Sequence, residues 1–133
     1  SDLLGEAIDA ASAIVLVVTQ DVCALKQGKT ALEILRKLGI PDNSVHVVLN
    51  RCSKDSPLPE HKVEEYLEKR LASAVPDDRK AVERSVFQGK PVVLYPKTEI
   101  AASIWKLLSQ VSPGLPLPDV DKRQHKTRRF KFW

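Results

Sequence analysis

Two short apolar runs, residues 13–19 (AIVLVVT) and 45–50 (VHVVLN), flank one long amphipathic segment, and that arrangement leaves few architectures open. Short apolar runs rich in β-branched side chains read as buried strands. Between them, residues 22–38 place Ala24, Gly28, Ala31, Leu35 and Leu38 at steps of four and three, the apolar face of a helix. Glu33 and Lys37 are spaced to pair on its outer side, and Gly39 is its stop. Strands joined by a helical crossover run parallel, with a right-handed connection.

The same alternation continues in both directions. Residues 2–11 (DLLGEAIDAA) have apolar positions at 3, 4, 7, 8 and 11, a helical period. Pro57 and Pro59 hold a loop open before a helix over residues 60–70, with Val63, Leu67 and Leu71 facing inward. A short strand is expected at 72–75. A helix follows at 78–88, capped by Asp77 or Asp78 and ended by Gly89. Residues 91–95 (PVVLY) read as a fourth strand, and Thr98 caps a last helix to residue 111 with Ile100, Ile104, Leu107, Leu108 and Val111 on one face. The expected fold is therefore α/β, a mostly parallel sheet of about four strands with helices on both faces, over residues 1–111. Prolines at 113, 116 and 118 make 112–121 an extended linker, and 122–133 is a separate tail.

At 133 residues the chain suffices for one cored domain, and its 43% apolar but 5% aromatic content suits an aliphatic sheet core. Cys23 and Cys52 have no companions at metal-ligand spacing, so no metal site is expected and a reducing cytoplasm is. The longest apolar run is too short to span a bilayer, and nothing at the N-terminus resembles a signal peptide. Six of the 21 basic residues follow Asp121 with no acid among them. Before that point 15 bases face 17 acids, so the body is formally −2 and the basic character belongs to the tail.

The second apolar run ends in Asn50-Arg51, and the C-terminal edge of a parallel sheet is where open α/β folds place ligands. An asparagine amide offers an acceptor and a donor that match the edge of adenine, although the same residue also suits a plain turn. Gly28-Lys29-Thr30 has the ending of a phosphate loop. It fails the rest of that motif, because Cys23 stands where the first glycine is needed and residues 24–26 fit a helix.

In order, the segments AIVLVVTQD, LEILRKLGI, VHVVLNRC, VEEYLEKRLASAVPDDRKAVERSVFQGKPVVLYP and TEIAASIWKLLSQV resemble the C-terminal half of the ParA/MinD family of P-loop ATPases. The pattern looks most like the CpaE/TadZ-like pilus-assembly branch and covers residues 1–111. The resemblance implies that Asn50 reads the adenine ring and that Arg51, Pro76, Asp77 and Asp78 lie beside the base. It also implies ATP and Mg as cofactors of a parent ATPase whose phosphate loop, metal-binding acid and water-positioning aspartate are absent from this chain. Alone, the chain is expected to lack ATPase activity and tight nucleotide binding. Implied partners are a second copy in a dimer and a pilus or secretion protein, in the cytoplasm or peripherally at the inner membrane. Two rival readings are a nucleotide-independent interaction module and a basic-tailed membrane or nucleic-acid binder.

The remaining polar residues are read more plainly. Asp21 suits a helix cap, though Thr19-Gln20-Asp21 leaves a strand end and would face the nucleotide or a second subunit in the family's geometry. His46 is a packed strand residue, and Glu60, Glu64, Glu65 and Glu68 form a solvated helix face interleaved with lysines. The tail from Lys122 to Trp133 combines six positive charges with Phe130, Phe132 and Trp133, which suits an anionic membrane or nucleic acid.

Overall fold

The computed structural model describes residues 2–95 and 97–115. The linker beyond Leu115 and the basic tail lie outside the described residues. The chain divides into two units between Asp77 and Asp78.

The first unit runs α1 (Asp2–Ala10), β1 (Ile14–Val18), α2 (Val22–Lys37), a 3-10 turn (Asp42–Ser44), β2 (Val45–Cys52), α3 (Glu60–Leu67) and β3 (Leu71–Pro76). Its three strands form one parallel sheet in the order β1-β2-β3, with Ile14 opposite Val45 and Val18 opposite Leu49. The two apolar runs are thus neighbouring parallel strands, as their helical spacer requires. Leu25, Leu32 and Leu35 of α2 and Val63 and Leu67 of α3 pack with Val18, Val45, Val47 and Leu49 in one core. Each fully buried aliphatic side chain contributes about 1.5–3 kcal/mol relative to exposure. Val48, on the other face of β2, is buried as well, whereas Val15 and Val17 of β1 are exposed.

Helix α2 buries a slightly different stripe from the one its spacing suggests. Leu25, Gly28, Leu32 and Leu35 are buried, Ala24 and Ala31 only half so, and Leu38 is 59% exposed. Both stripes pass through Gly28 and Leu35, and leucines leave more apolar area uncovered than alanines if turned outward. A Cβ at Gly28 would lie 2.8 Å from Val18 Cγ1, so the missing side chain is what allows this helix to approach β1. Asp21 caps the helix by accepting from the Ala24 N–H at 2.8 Å, and Gly39 follows it at φ 76°. The expected Glu33–Lys37 pair does not form among the described residues. Asp42 instead meets Arg36 at 4.0 Å and Lys69 at 3.0 Å.

Helix α3 stops at Leu67, three residues earlier than its periodicity suggests. Glu68 turns left-handed at φ 52°, and the Lys69 N–H donates back to the Glu64 carbonyl. Glu64 then accepts from the Leu71 N–H at 2.9 Å, tying the helix end to the start of β3. Leu71 accordingly opens the strand and is not the last inward position of the helix.

The second unit contains α4 (Arg79–Gln88), a 3-10 turn (Val92–Leu94) and α5 (Glu99–Val111). Asp78 caps α4 through the Ala81 N–H, Gly89 ends it at φ 60°, and Thr98 caps α5 through the Ala101 N–H. The expected fourth strand is the 3-10 turn. Leu94 donates to the Pro91 carbonyl and Tyr95 to that of Val92, so the local backbone closes on itself. Pro91 has no N–H for a ladder and holds φ at −52°, and three apolar residues carry no period that separates strand from turn. Among the described residues the sheet therefore has three strands.

Candidate functional site

Because the sheet is parallel, the C-terminal ends of β1, β2 and β3 emerge along one edge. They deliver Thr19-Gln20-Asp21, Asn50-Arg51-Cys52 and Pro76-Asp77. The register breaks between Leu49 and Cys52, where the strand resumes opposite Pro76, and the Asp77 N–H donates to the Cys52 carbonyl at 3.0 Å. Arg51, within the break, adopts a left-handed backbone at φ 49°, a conformation that costs a non-glycine residue on the order of 1 kcal/mol or more. Such a break at a strand end re-aims side chains away from the regular alternation.

Of the five residues singled out from sequence, four belong to this edge. Asn50 is half-buried on β2, Arg51 is exposed, Pro76 is half-buried at the end of β3, and Asp77 is exposed beside it. Asp78 has a structural duty in the second unit as the cap of α4. Among the described residues the Asn50 amide has no hydrogen-bond partner, so its donor and acceptor remain available to a ligand.

Gln20 holds the next stretch of chain in place. Its Oε1 accepts from the Ser53 N–H at 2.7 Å, while its Nε2 donates to the carbonyls of Ser53 at 3.2 Å and Leu58 at 3.0 Å. One side chain thus fixes both ends of the loop that follows Asn50-Arg51. Neither this clamp nor the left-handed Arg51 was legible in sequence, since a lone glutamine and an arginine carry no conformational signature.

The electrostatics are modest. The Asp21 carboxyl is held below its ordinary range, first by the Thr19 hydroxyl at 2.5 Å, then by the Ala24 N–H, with a minor contribution from the Arg51 charge. Burial pushes the Cys52 thiol up, and the neighbouring Glu60 carboxylate adds to the effect. Both residues are thus poor candidates for general-base or nucleophilic work.

The fit to a nucleotide is confined to the base. Asn50 has the right chemistry for an adenine edge, but no group of acids, histidines or cysteines among the described residues could hold a metal ion. Gly28-Lys29-Thr30 lies inside α2, where the Thr30 hydroxyl donates to the Lys26 carbonyl and the Lys29 ammonium sits 4.9 Å from the Tyr66 ring centre. The backbone N–H groups of that tripeptide lie inside the helix, so it is no phosphate cradle.

No protein-family model and no curated protein matches the chain. Solved structures do. The MinC:MinD cell division protein complex of Aquifex aeolicus superposes with a TM-score of 0.70 at 19% identity, over 84% of this chain and 48% of that one. Septum site-determining MinD of Pyrococcus horikoshii, complexed with Mg-ADP, gives 0.67 at 21% identity over 81% and 44%. A ParA family ATPase from Chlorobium tepidum gives 0.65 at 20% identity over 75% and 43%. The chain has the ParA/MinD fold over the length it spans. That length is less than half of each of these chains. The likeness is one of fold, a parallel sheet with helical crossovers, and it does not distinguish the CpaE/TadZ-like branch.

Proposed function

We propose that this chain is the C-terminal half of a ParA/MinD-type ATPase, supplying the adenine side of the ATP site and surfaces for dimer and partner contact. The observation that carries the reading is the convergence of Asn50, Arg51, Pro76 and Asp77 on one sheet edge, fastened by the Asp77–Cys52 hydrogen bond. Asp78, next in the chain and the cap of α4, is the fifth residue of the proposed base side. Parallel sheets bind ligands beyond these strand ends. When bound, Mg-ATP would supply the phosphoryl group and its activating cation. This chain's residues would orient the base only.

The finer reading is of a pilus-assembly ATPase of the CpaE/TadZ-like branch, working in the cytoplasm or peripherally at the inner membrane. Its support is the joint pattern of VLNR, VPDD and GKPV in the sequence. The fold neighbours include one MinD with Mg-ADP and one with a protein partner, which is consistent with nucleotide and partner contacts for such a chain. Among the described residues no helix is long and apolar enough to cross a membrane.

The test is made in a polypeptide extended upstream through a Gly-Lys-Thr phosphate loop. Asn50→Ala should weaken ATP binding by the loss of one base-edge contact, about 1–3 kcal/mol, while saturated turnover stays near wild type. A base contact is equal in ground and transition states, which is why affinity and not turnover should respond. Unchanged affinity would reduce Asn50 to a turn residue. An upstream sequence without a phosphate loop would favour the nucleotide-independent interaction module.

A further inference from the structure

Helices α2 and α3 leave a slot between them that the nucleotide reading does not use. Its volume is about 130 Å³, and Val22, Leu25, Leu58 and Tyr66 supply its apolar walls, with Lys26 and Lys62 at its sides. Leu25 is its buried floor at 4% exposure, while Val22 is 58% and Tyr66 39% exposed. The wall formed by Leu58 is fixed, because its carbonyl accepts from the Gln20 amide and its N–H donates to the Ser56 hydroxyl oxygen. A preformed concave slot of this size admits one leucine- or phenylalanine-sized side chain.

Among the residues that line the slot, the charged ones, Lys26 and Lys62, are both positive. Lys29 stands near Lys26 on α2 with its ammonium over Tyr66. Among the described residues Lys26, Lys29 and Lys62 form no ion pair. Lys26 and Lys62 thus border an apolar slot, with Lys29 over the ring of its Tyr66 wall, on a body whose formal charge before the tail is −2. Like charges gathered this way repel one another, and an anionic partner would relieve that repulsion while gaining attraction.

We propose that this slot is a docking site for an acidic peptide segment of a partner protein. The segment inserts one large apolar side chain against Leu25 and Tyr66 and sets carboxylates opposite Lys26, Lys29 and Lys62. An apolar anchor in a pocket with a charged rim is the arrangement that concentrates binding energy at protein interfaces. Concavity favours a peptide over a bilayer, which is met by projecting apolar side chains. Stacking of a nucleic-acid base is disfavoured because Lys29 already covers a face of Tyr66. The proposal stands independently of nucleotide binding.

The probe is a fluorescent heptapeptide of glutamates around a central phenylalanine, titrated into the full chain and followed by anisotropy. Replacing the central phenylalanine by serine should weaken binding at least tenfold, and so should the double substitution Lys26→Glu/Lys62→Glu in the protein. Both lysines are exposed, so circular dichroism should confirm an intact fold. Wild type and variant carry the same basic tail, so the tail's own contribution is common to both, and the dependence on the central phenylalanine separates the slot from general charge attraction. Amide shifts at Val22, Leu58 and Tyr66 on titration would support the site. Binding that ignores the phenylalanine, that survives the double substitution, or that is absent up to about 1 mM peptide overturns the proposal. Vesicles of anionic phospholipid or single-stranded DNA bound through Lys26 and Lys62, without the peptide, would overturn it in favour of those partners.

Discussion

Gly28→Ala sets two known effects against each other. Alanine in a helix interior is favoured over glycine by about 1 kcal/mol. Against this, the new methyl would meet Val18 Cγ1 at 2.8 Å, and that contact cannot yield cheaply. Val18 is 3% exposed, sits in a strand paired to β2, and as a β-branched residue has restricted χ1 freedom. Leu67 Cδ2 lies 3.7 Å away on the other side, so the helix has little room to slide. Overpacking of this kind costs about 1–3 kcal/mol, leaving a net loss of up to about 2 kcal/mol. Urea denaturation followed by far-ultraviolet circular dichroism measures it. Gly5→Ala in α1, whose new methyl meets nothing within 4 Å, isolates the propensity gain and should not destabilise. Val18→Ala made together with Gly28→Ala should cost less than the sum of the two single changes, because each relieves the other. If Gly28→Ala is stabilising by the full propensity gain, the close approach of α2 to β1 is wrong.

Two other perturbations test the sheet edge. Gln20→Ala leaves one N–H and two carbonyls without their partner, so a loss of about 1–3 kcal/mol and faster amide exchange at Ser53 are expected. Gln20→Glu keeps the acceptor but turns a negative charge on two carbonyls, and it should be no better than alanine; a wild-type-like glutamate variant would refute the clamp. The Asp21 carboxyl is lowered by Thr19 and then Ala24, so its stabilisation is complete above the ordinary carboxylate range and fades as pH falls through the lowered value. The stability advantage of wild type over Asp21→Asn, measured by denaturant midpoint, should therefore shrink in acid. An advantage unchanged from neutral pH to about pH 2 would remove the carboxylate from the account.

What the sequence determined by itself was the alternation of apolar runs and helical periods, and with it a parallel sheet. Side-chain periodicity is local, so AIVLVVT, VHVVLN and the helix between them announced their pairing without any long-range information. Caps were legible at Asp21 and Thr98, and to within one residue at Asp77 or Asp78, where the structure selects Asp78, because a short polar side chain satisfies N–H groups only a few residues away. Asn50 and Pro76-Asp77 could be named as strand-end residues on the same grounds. Other features depended on residues far apart in the chain. The register break around Arg51 arises where β2 meets β3, the Gln20 clamp spans more than thirty positions, and the basic slot exists only because α2 and α3 pack side by side. The Val92–Leu94 turn shows the converse limit. Its three apolar residues serve a strand or a turn equally, and the missing Pro91 N–H together with the local hydrogen bonds decided between them.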